Sequence, residues 1–224
     1  HTPNAVRMIV EGEGAWTTVD GEKCPMSRGD LILTPTGLWH EHGHDGDQPV
    51  IWLDVLDLPL VYYMEASYHI NGEPQQVRPS QGHRAYARAG VVPTPVFGRS
   101  GKRYPMMRYP WVNARAALVS LAEDQPELAH VQITYVNPET GEDAQNILGF
   151  HALMLRPGQT LALPARSPAA VYHVIEGAAR VATDAQGFDL APADTCCIPG
   201  YTATTLTNAS ATEPAFVFVA DESP

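Results

Sequence analysis

Hydrophobic residues recur along this chain in short stretches at near-alternating spacing, and the stretches are rich in Val, Ile, Thr and Tyr. An alternation with a period of two is typical of half-buried β-strands. A first group of strands is predicted at about 6–10, 15–19, 31–34, 39–42 and 50–55. A second group is predicted at about 131–136, 150–155, 170–175, 178–183, 195–198, 203–207 and 215–220. Turns rich in Gly and Pro separate the strands, so the pattern predicts an all-β fold.

An internal repeat relates the two groups of strands. An offset of 165 residues aligns 1–12 with 166–177, and Pro, Ala, Val, Glu and Gly recur in step. The next landmark follows with a one-residue gap, since Pro35 lies 24 residues after Glu11 and Pro199 lies 23 residues after Glu176. Self-similarity of this kind indicates one fold used twice.

The segment between the repeats, 74–111, has a different composition. It carries seven of the 14 basic residues of the chain, Arg99 among them, and no acidic residue. Its six prolines disfavour long helices and central strands, so we expect an excursion over the surface. The charge is either a solvated face or a clamp on an acidic neighbouring surface. Asn113 then predicts the N-cap of a helix that extends to about residue 122.

Composition and charge exclude several classes of protein. A hydrophobic content of 44% with only 17% charged residues is enough for a sizeable core. The net charge of −11 disfavours nucleic acid as a partner. No apolar run approaches the roughly 20 residues that cross a membrane, so we expect no membrane partner. Cys24, Cys196 and Cys197 form neither a CxxC pair nor an even disulfide framework, which favours the cytoplasm.

A metal-binding signal lies in the stretch that runs from Pro35 through His40 to His42 and His44. Side chains alternate along a strand, so His40 and His42 are predicted to point to the same face. Neutral imidazole is the commonest metal ligand, and two imidazoles on one apolar face therefore indicate a metal site. The spacing alone leaves satisfied or exposed histidines as the alternative. His44 lies in the following turn, where we expect it to be exposed to solvent.

Four stretches resemble the cupins, small jelly-roll barrels with histidine metal sites, and among them the gentisate 1,2-dioxygenases with their salicylate and 1-hydroxy-2-naphthoate relatives. They are VEGEGAWTTVDG at 10–21, GDLILTPTGLWHEHG at 29–43, VIWLDVLDLPL at 50–60 and YPMMRYPW at 104–111. The resemblance implies a bicupin, two jelly-roll barrels joined by a Pro/Arg-rich segment and a short helix. It divides the chain into a first cupin at 1–72, a linker and helix at 73–128, and a second cupin at 129–224. Because the chain begins with His rather than Met, we expect a fragment whose first barrel is truncated at its N-terminus.

The resemblance also implies the residues of the site. Three histidines hold Fe(II): His1 and His40 match two of them, and the third would lie two residues before His1, outside this chain. His42 matches a pocket histidine that does not bind the metal, Arg7 an arginine that faces the substrate carboxylate, and Asp54 an acidic pocket residue. Strand parity agrees for Arg7, because positions 1 and 7 of one extended strand share a face. The residues alone leave Arg7 open to a surface role and Asp54 to a cap at a strand end.

The implied activity is Fe(II)-dependent extradiol-type cleavage of gentisate with O2 to maleylpyruvate, in the catabolism of aromatic compounds. Salicylate or 1-hydroxy-2-naphthoate is an alternative substrate. An isomerase or decarboxylase that uses Mn, Zn or Ni is an alternative class, because three imidazoles do not dictate the metal, and a non-catalytic binding or storage cupin is a further one. The resemblance favours a homo-oligomer, commonly a tetramer, in the cytoplasm, with a small aromatic acid and O2 as its partners.

The second repeat is predicted to be free of metal. The offset places Pro164 and Arg166 where the pair of histidines would stand, and Thr204 at the position of His40. Proline has no donor atom there, arginine is a permanent cation and threonine offers one weak hydroxyl. We therefore expect the second barrel to be a packing module that serves assembly.

Overall fold

The computed structural model describes residues 1–98 and 101–222, so Arg99 of the basic segment lies outside the described residues. Two compact units divide the chain. The first comprises His1–Asn113 and Val136–Gln145, and the second comprises Ala114–Tyr135 and Asn146–Pro224. This division assigns the basic segment to the first unit, whereas the predicted boundaries at 72 and 128 remain an interpretation of the sequence.

The first unit is built of two antiparallel sheets. Its strands are β1 (Ala5–Glu11), β2 (Ala15–Val19), β3 (Glu22–Pro25), β4 (Leu31–Thr34), β5 (His40–His44), β6 (Ile51–Leu56) and β7 (Arg108–Tyr109). One sheet has the order β6-β1-β4-β7 and the other the order β3-β2-β5. Val6, Met8 and Leu31 are fully buried, and their chain neighbours Arg7 and Ile32 are buried as well, so β1 and β4 are covered on both faces. Helices α1 (Leu58–Tyr63) and α2 (Gly82–Ala85) and a 3-10 turn (Thr94–Val96) follow β6.

The second unit repeats this arrangement with additional strands. It contains α3 (Trp111–Asp124), which starts at the end of the first unit, and the strands β8 (Val131–Thr134), β9 (Leu148–Leu155), β10 (Thr160–Leu163), β11 (Ala170–Glu176), β12 (Ala179–Ala182), β13 (Gly187–Leu190), β14 (Thr195–Ile198), β15 (Thr204–Thr207) and β16 (Ala215–Glu222). The sheet orders are β14-β11-β16-β9-β8 and β10-β15-β12-β13. Val174, Val181, Leu206 and Val217 form part of a core shared by both sheets.

Strand register confirms that one fold is used twice. Ala5 pairs with Thr34 on one side and Leu56 on the other, and its counterpart Ala170 pairs with Ile198 and Asp221. The ladder shifts between Ile9 and Glu11 in the first unit, and between Val174 and Glu176, the equivalent residues, in the second. The same β-bulge is therefore kept in both copies.

A glycine ends each bulged strand, Gly12 with φ +89° and Gly177 with φ +75°. A Cβ atom at these positions would lie 2.3 Å from the carbonyl oxygen of Pro49 and 2.6 Å from that of Pro214. Both the backbone conformation and the space thus require glycine, which explains why the Glu-Gly pair recurs in the repeat.

The all-β prediction is confirmed, but several elements differ from the pattern. The short strands β3, β7, β10 and β13, of two to four residues each, were not predicted. Helix α3 begins at Trp111, two residues before the predicted cap at Asn113. Asp30 accepts a hydrogen bond from the backbone N–H of Trp111 at 2.9 Å, so a residue 81 positions away stabilises the helix start.

In the basic segment 74–111, some arginines are exposed to solvent and others pair with carboxylates. Arg108 forms a buried ion pair with Asp30 at 2.6 Å, and Arg78 lies 3.5 Å from Asp20 at the surface. Arg84 and Arg88 are exposed. In the part of the chain that the structure describes, no helix has the length and apolar character needed to cross a membrane.

Candidate active site

The five predicted site residues lie together in the first unit. Arg7 on β1 is the register partner of Asp54 on β6, and His42 on β5 is the register partner of Thr17 on β2. The two sheets therefore contribute one pair each, and hydrogen bonds join the pairs. The parity argument assumed that His1 and Arg7 belong to one extended strand. That assumption is wrong, because His1 lies four residues before the start of β1.

His1 and His40 form the first part of the site. Their ring centroids are 4.4 Å apart at an interplanar angle of 72°. The Nδ1 atom of His1 lies 2.8 Å from the carbonyl oxygen of Pro3, and Nδ1 of His40 lies 3.1 Å from that of Leu38. A carbonyl only accepts hydrogen bonds, so each Nδ1 carries the proton and each Nε2 keeps its lone pair.

His42 has the opposite tautomer. Its ring centroid lies 5.6 Å from that of His40, on the same face of β5, as strand alternation predicts. Nη1 of Arg7 lies 2.7 Å from Nδ1 of His42. An arginine only donates hydrogen bonds, so Nδ1 of His42 accepts and Nε2 carries the proton of the neutral ring. His42 is therefore a hydrogen-bond donor at the site, whereas His1 and His40 present lone pairs.

Arg7 is the centre of the hydrogen-bond network and is 5% exposed. Its Nε donates to the carboxylate of Asp54 at 2.9 Å, and its Nη1 donates to the hydroxyl of Thr17 at 3.2 Å as well as to His42. Nη2 has no hydrogen-bond partner among the described residues. A buried guanidinium with one nitrogen left for a further acceptor excludes the surface role that the sequence left open for Arg7.

The charges of the site follow from burial and from Arg7. Desolvation, followed by the positive charge of Arg7, lowers the pKa of His42 to about 4. Desolvation also lowers the pKa of His40. Burial lowers the pKa of Arg7, an effect that the charge of Asp54 opposes. His40 and His42 are thus neutral at physiological pH, and the neutral imidazole is the form that binds metals.

The imidazoles of His1 and His40 form a partial donor set that fits a metal ion. Histidine ligands of metals commonly donate their other ring N–H to a backbone carbonyl, which is the arrangement of both His1 and His40. Within residues 1–98 and 101–222, no group of three His, Cys, Asp or Glu side chains has a spacing suited to a metal. His1 and His40 would be two of the three histidine ligands that the sequence predicts.

Two further residues of the site were not predicted. Thr17 is fully buried, and its hydroxyl lies 3.0 Å from Nδ1 of His42, so it contacts both His42 and Arg7. The ring of Trp52 lies 5.4 Å from the guanidinium carbon of Arg7. Trp52 stands two residues before Asp54 on β6, and strand parity was the signal that could have indicated it. His44 is exposed, as expected.

The corresponding positions of the second unit carry other residues. The register of β11 places Tyr172 at the position of Arg7 and Val219 at that of Asp54. Arg166 and Thr204 stand at the positions of His1 and His40, and all four residues line one cavity of that unit.

Part of the first unit matches a known domain family. Residues 1–56 match the family model of the cupin domain, and the repeated register extends the two-sheet architecture to the second unit. The fold is therefore all-β, with a cupin domain in the first unit and the same strand register repeated in the second.

Three similar proteins are named as dioxygenases of aromatic hydroxy acids. The chain is 74% identical over its full length to a gentisate 1,2-dioxygenase of Ralstonia, of which it covers 63%. It is 34% identical over its full length to a 1-hydroxy-2-naphthoate 1,2-dioxygenase of Nocardioides, covering 59% of that protein. A crystal structure of salicylate 1,2-dioxygenase from Pseudoaminobacter salicylatoxidans with gentisate aligns with 99% of the chain and 63% of its own, at a TM-score of 0.86 and 32% identity.

The resemblance to the gentisate, salicylate and 1-hydroxy-2-naphthoate dioxygenases is therefore confirmed. The chain spans 59–63% of the length of these three proteins.

Proposed function

We propose that the complete protein cleaves the ring of gentisate with O2, between the carbons that bear the carboxylate and the neighbouring hydroxyl, and yields maleylpyruvate. The observation that carries the proposal is the pair of imidazoles, His1 and His40, whose ring centroids are 4.4 Å apart and which neighbour His42 and, through it, the buried Arg7. The 74% identity to a gentisate 1,2-dioxygenase supports the choice of substrate.

Fe(II) is the proposed metal, held by His1, His40 and a third histidine two residues before His1. Bound Fe(II) would offer open coordination positions to the carboxylate and phenolate oxygens of the substrate and to O2, and would conduct electron density from the ring to O2. Neutral histidines suit this chemistry, because they leave the positive charge of the metal uncompensated.

Arg7 is proposed to orient the substrate through its carboxylate. Nε and Nη1 are occupied by Asp54, Thr17 and His42, so the contact is made by Nη2 alone rather than by a two-nitrogen fork. Asp54 would fix the guanidinium plane, and its single negative charge would offset part of the cost of burying Arg7.

His42 is proposed to donate a hydrogen bond from Nε2–H to an oxygen of the substrate or of O2 without binding the metal. Its Nδ1 is held by Arg7 and Thr17, which fixes the tautomer. Removal of one such positioned hydrogen-bond donor costs about 10²- to 10³-fold in kcat. The resemblance further supports a homotetramer in the cytoplasm as the working form.

The proposal is tested by oxygen consumption of the complete enzyme loaded with Fe(II). We expect one O2 consumed per gentisate, and a product heavier than gentisate by two oxygen atoms. Salicylate and 1-hydroxy-2-naphthoate are assayed in parallel, because relatives of this chain carry their names. A metal-loaded enzyme that consumes no O2 with any of the three acids would favour an isomerase or decarboxylase instead.

A further inference from the structure

The second unit contains a cavity of about 260 Å³ that is lined by residues of both its sheets. The counterparts of His1, Arg7, His40 and Asp54 all line it, namely Arg166, Tyr172, Thr204 and Val219. The interior position of the candidate active site is thus retained in the second unit as a cavity. At these four positions the chemistry differs, with one guanidinium and one phenol in place of the imidazoles and Arg7, and His130 and His151 line other parts of the cavity.

The polar groups of the cavity include two sets of unused hydrogen-bond donors. Tyr172 is only 4% exposed, and its hydroxyl has no hydrogen-bond partner among the described residues. Burial raises the pKa of Tyr172 to about 12, so the phenol remains a proton donor at neutral pH. A donor that lines a cavity and has no protein partner is available to water or to a ligand that accepts its hydrogen bond.

Arg166 supplies the second set of donors. Its Nη2 donates to Asp221 at 2.6 Å, while Nε and Nη1 have no partner in the part of the chain that the structure describes. The carboxylate of Asp221 also lies 3.3 Å from Nε2 of His151, so its oxygens are already paired. The hydroxyl of Thr204 donates to the carbonyl of Thr202. The unused groups of Tyr172 and Arg166 are therefore donors, which suit an anionic oxygen.

Part of the remaining wall is apolar. Leu153, Leu163, Ile198 and Val219 line the cavity beside Tyr172, and His130 and Gln132 line it as a hydrogen-bonded pair. A cavity of about 150 Å³ is large enough to bind benzene. The volume of about 260 Å³ therefore accommodates a single-ring carboxylic acid such as benzoate.

We propose that this cavity is a binding site for a small single-ring carboxylic acid. The carboxylate accepts hydrogen bonds from Tyr172 and from the free edge of Arg166, and the ring packs against Leu153, Leu163 and Ile198. The second unit is then a ligand-binding module in addition to a packing module. The proposal is independent of metal binding in the first unit.

The test is equilibrium dialysis of radiolabelled benzoate against the complete enzyme and its variants. Tyr172→Phe is the sharpest variant, because it removes only a hydroxyl that makes no hydrogen bond within the structure and should not disturb folding. We expect the Kd of benzoate to rise by about 10-fold or more in Tyr172→Phe and by about 10- to 150-fold in Arg166→Gln, the range for a hydrogen bond to a charged group.

Matched controls separate this site from the first unit. Arg180→Gln removes an exposed arginine that pairs with Asp189 outside the cavity, and it should leave the Kd unchanged. Benzamide, which lacks the charge, should bind at least 10-fold more weakly. Binding should survive His40→Ala, so that failure of the catalytic proposal is recognised independently. Benzoate binding that is insensitive to Tyr172→Phe and Arg166→Gln, or its absence, would overturn the inference.

Discussion

The two units place different chemistry on the same backbone positions. In the first, His1, Arg7 and His40 bring two imidazoles and one cation together, and in the second Arg166, Tyr172 and Thr204 bring one cation and two hydroxyls. The register and the β-bulge are common to both. The fold thus determines where these side chains lie, while a few inward residues determine the chemistry at that place.

The largest effect is expected from removal of the His40 imidazole, which the second unit lacks at the equivalent position. His40→Ala in the complete, Fe(II)-loaded enzyme should abolish measurable turnover, because the proposed metal loses a ligand. His44→Ala is the matched control, since His44 lies on the same strand and is exposed. Turnover that survives His40→Ala but is lost in His44→Ala would contradict the assignment.

His42→Ala should separate metal binding from turnover. We expect iron to be retained and kcat to fall by about 10²- to 10³-fold, because Nδ1 of His42 is occupied by Arg7 and Nε2–H acts as a hydrogen-bond donor. Iron content and kcat are measured on the same preparation. A loss of iron comparable to that of His40→Ala would make His42 a metal ligand.

Arg7→Met tests the guanidinium of the candidate active site network. We expect kcat/KM for gentisate to fall by about 10- to 150-fold with iron retained, because one charge-assisted hydrogen bond to the carboxylate is lost. Arg78→Met serves as the control, because Arg78 forms only an exposed ion pair with Asp20. Unchanged kinetics in Arg7→Met would show that Nη2 does not bind substrate.

The smallest effect concerns Asp221, which stands in the second unit where Leu56 stands in the first. Burial raises its pKa, but hydrogen bonds from His151 and Arg166 outweigh this and lower it below the usual range of Asp. The pair therefore stabilises the fold above the ordinary pKa of about 3.9, and the stabilisation is lost as the pH falls through the lowered value.

Asp221→Asn should accordingly lower Tm at pH 6 by about 2–4 °C, as expected for about 1 kcal/mol in a chain of this length. The difference from the unchanged protein should shrink toward pH 3. Thermal unfolding followed by circular dichroism measures it, and a difference that is constant with pH would contradict the ion-pair account.

Local patterns predicted much of this molecule. Alternation predicted most strands within one or two residues, and the pair His40 and His42 was predicted to share a face because strand geometry is local. Thr17 and Trp52 were missed, since their part in the network depends on which strands become neighbours. The start of α3 was missed for the same reason, as Asp30 is remote in sequence from Trp111.

The central claim is that one barrel of the two binds the metal. Elemental analysis of the complete protein, reconstituted with Fe(II) and freed of loosely bound metal, tests it most directly. We expect about one iron per chain. The second unit should bind none, because Arg166 places a permanent cation at the position that His1 occupies in the first unit. Two irons per chain, or one that persists in His40→Ala, would contradict it.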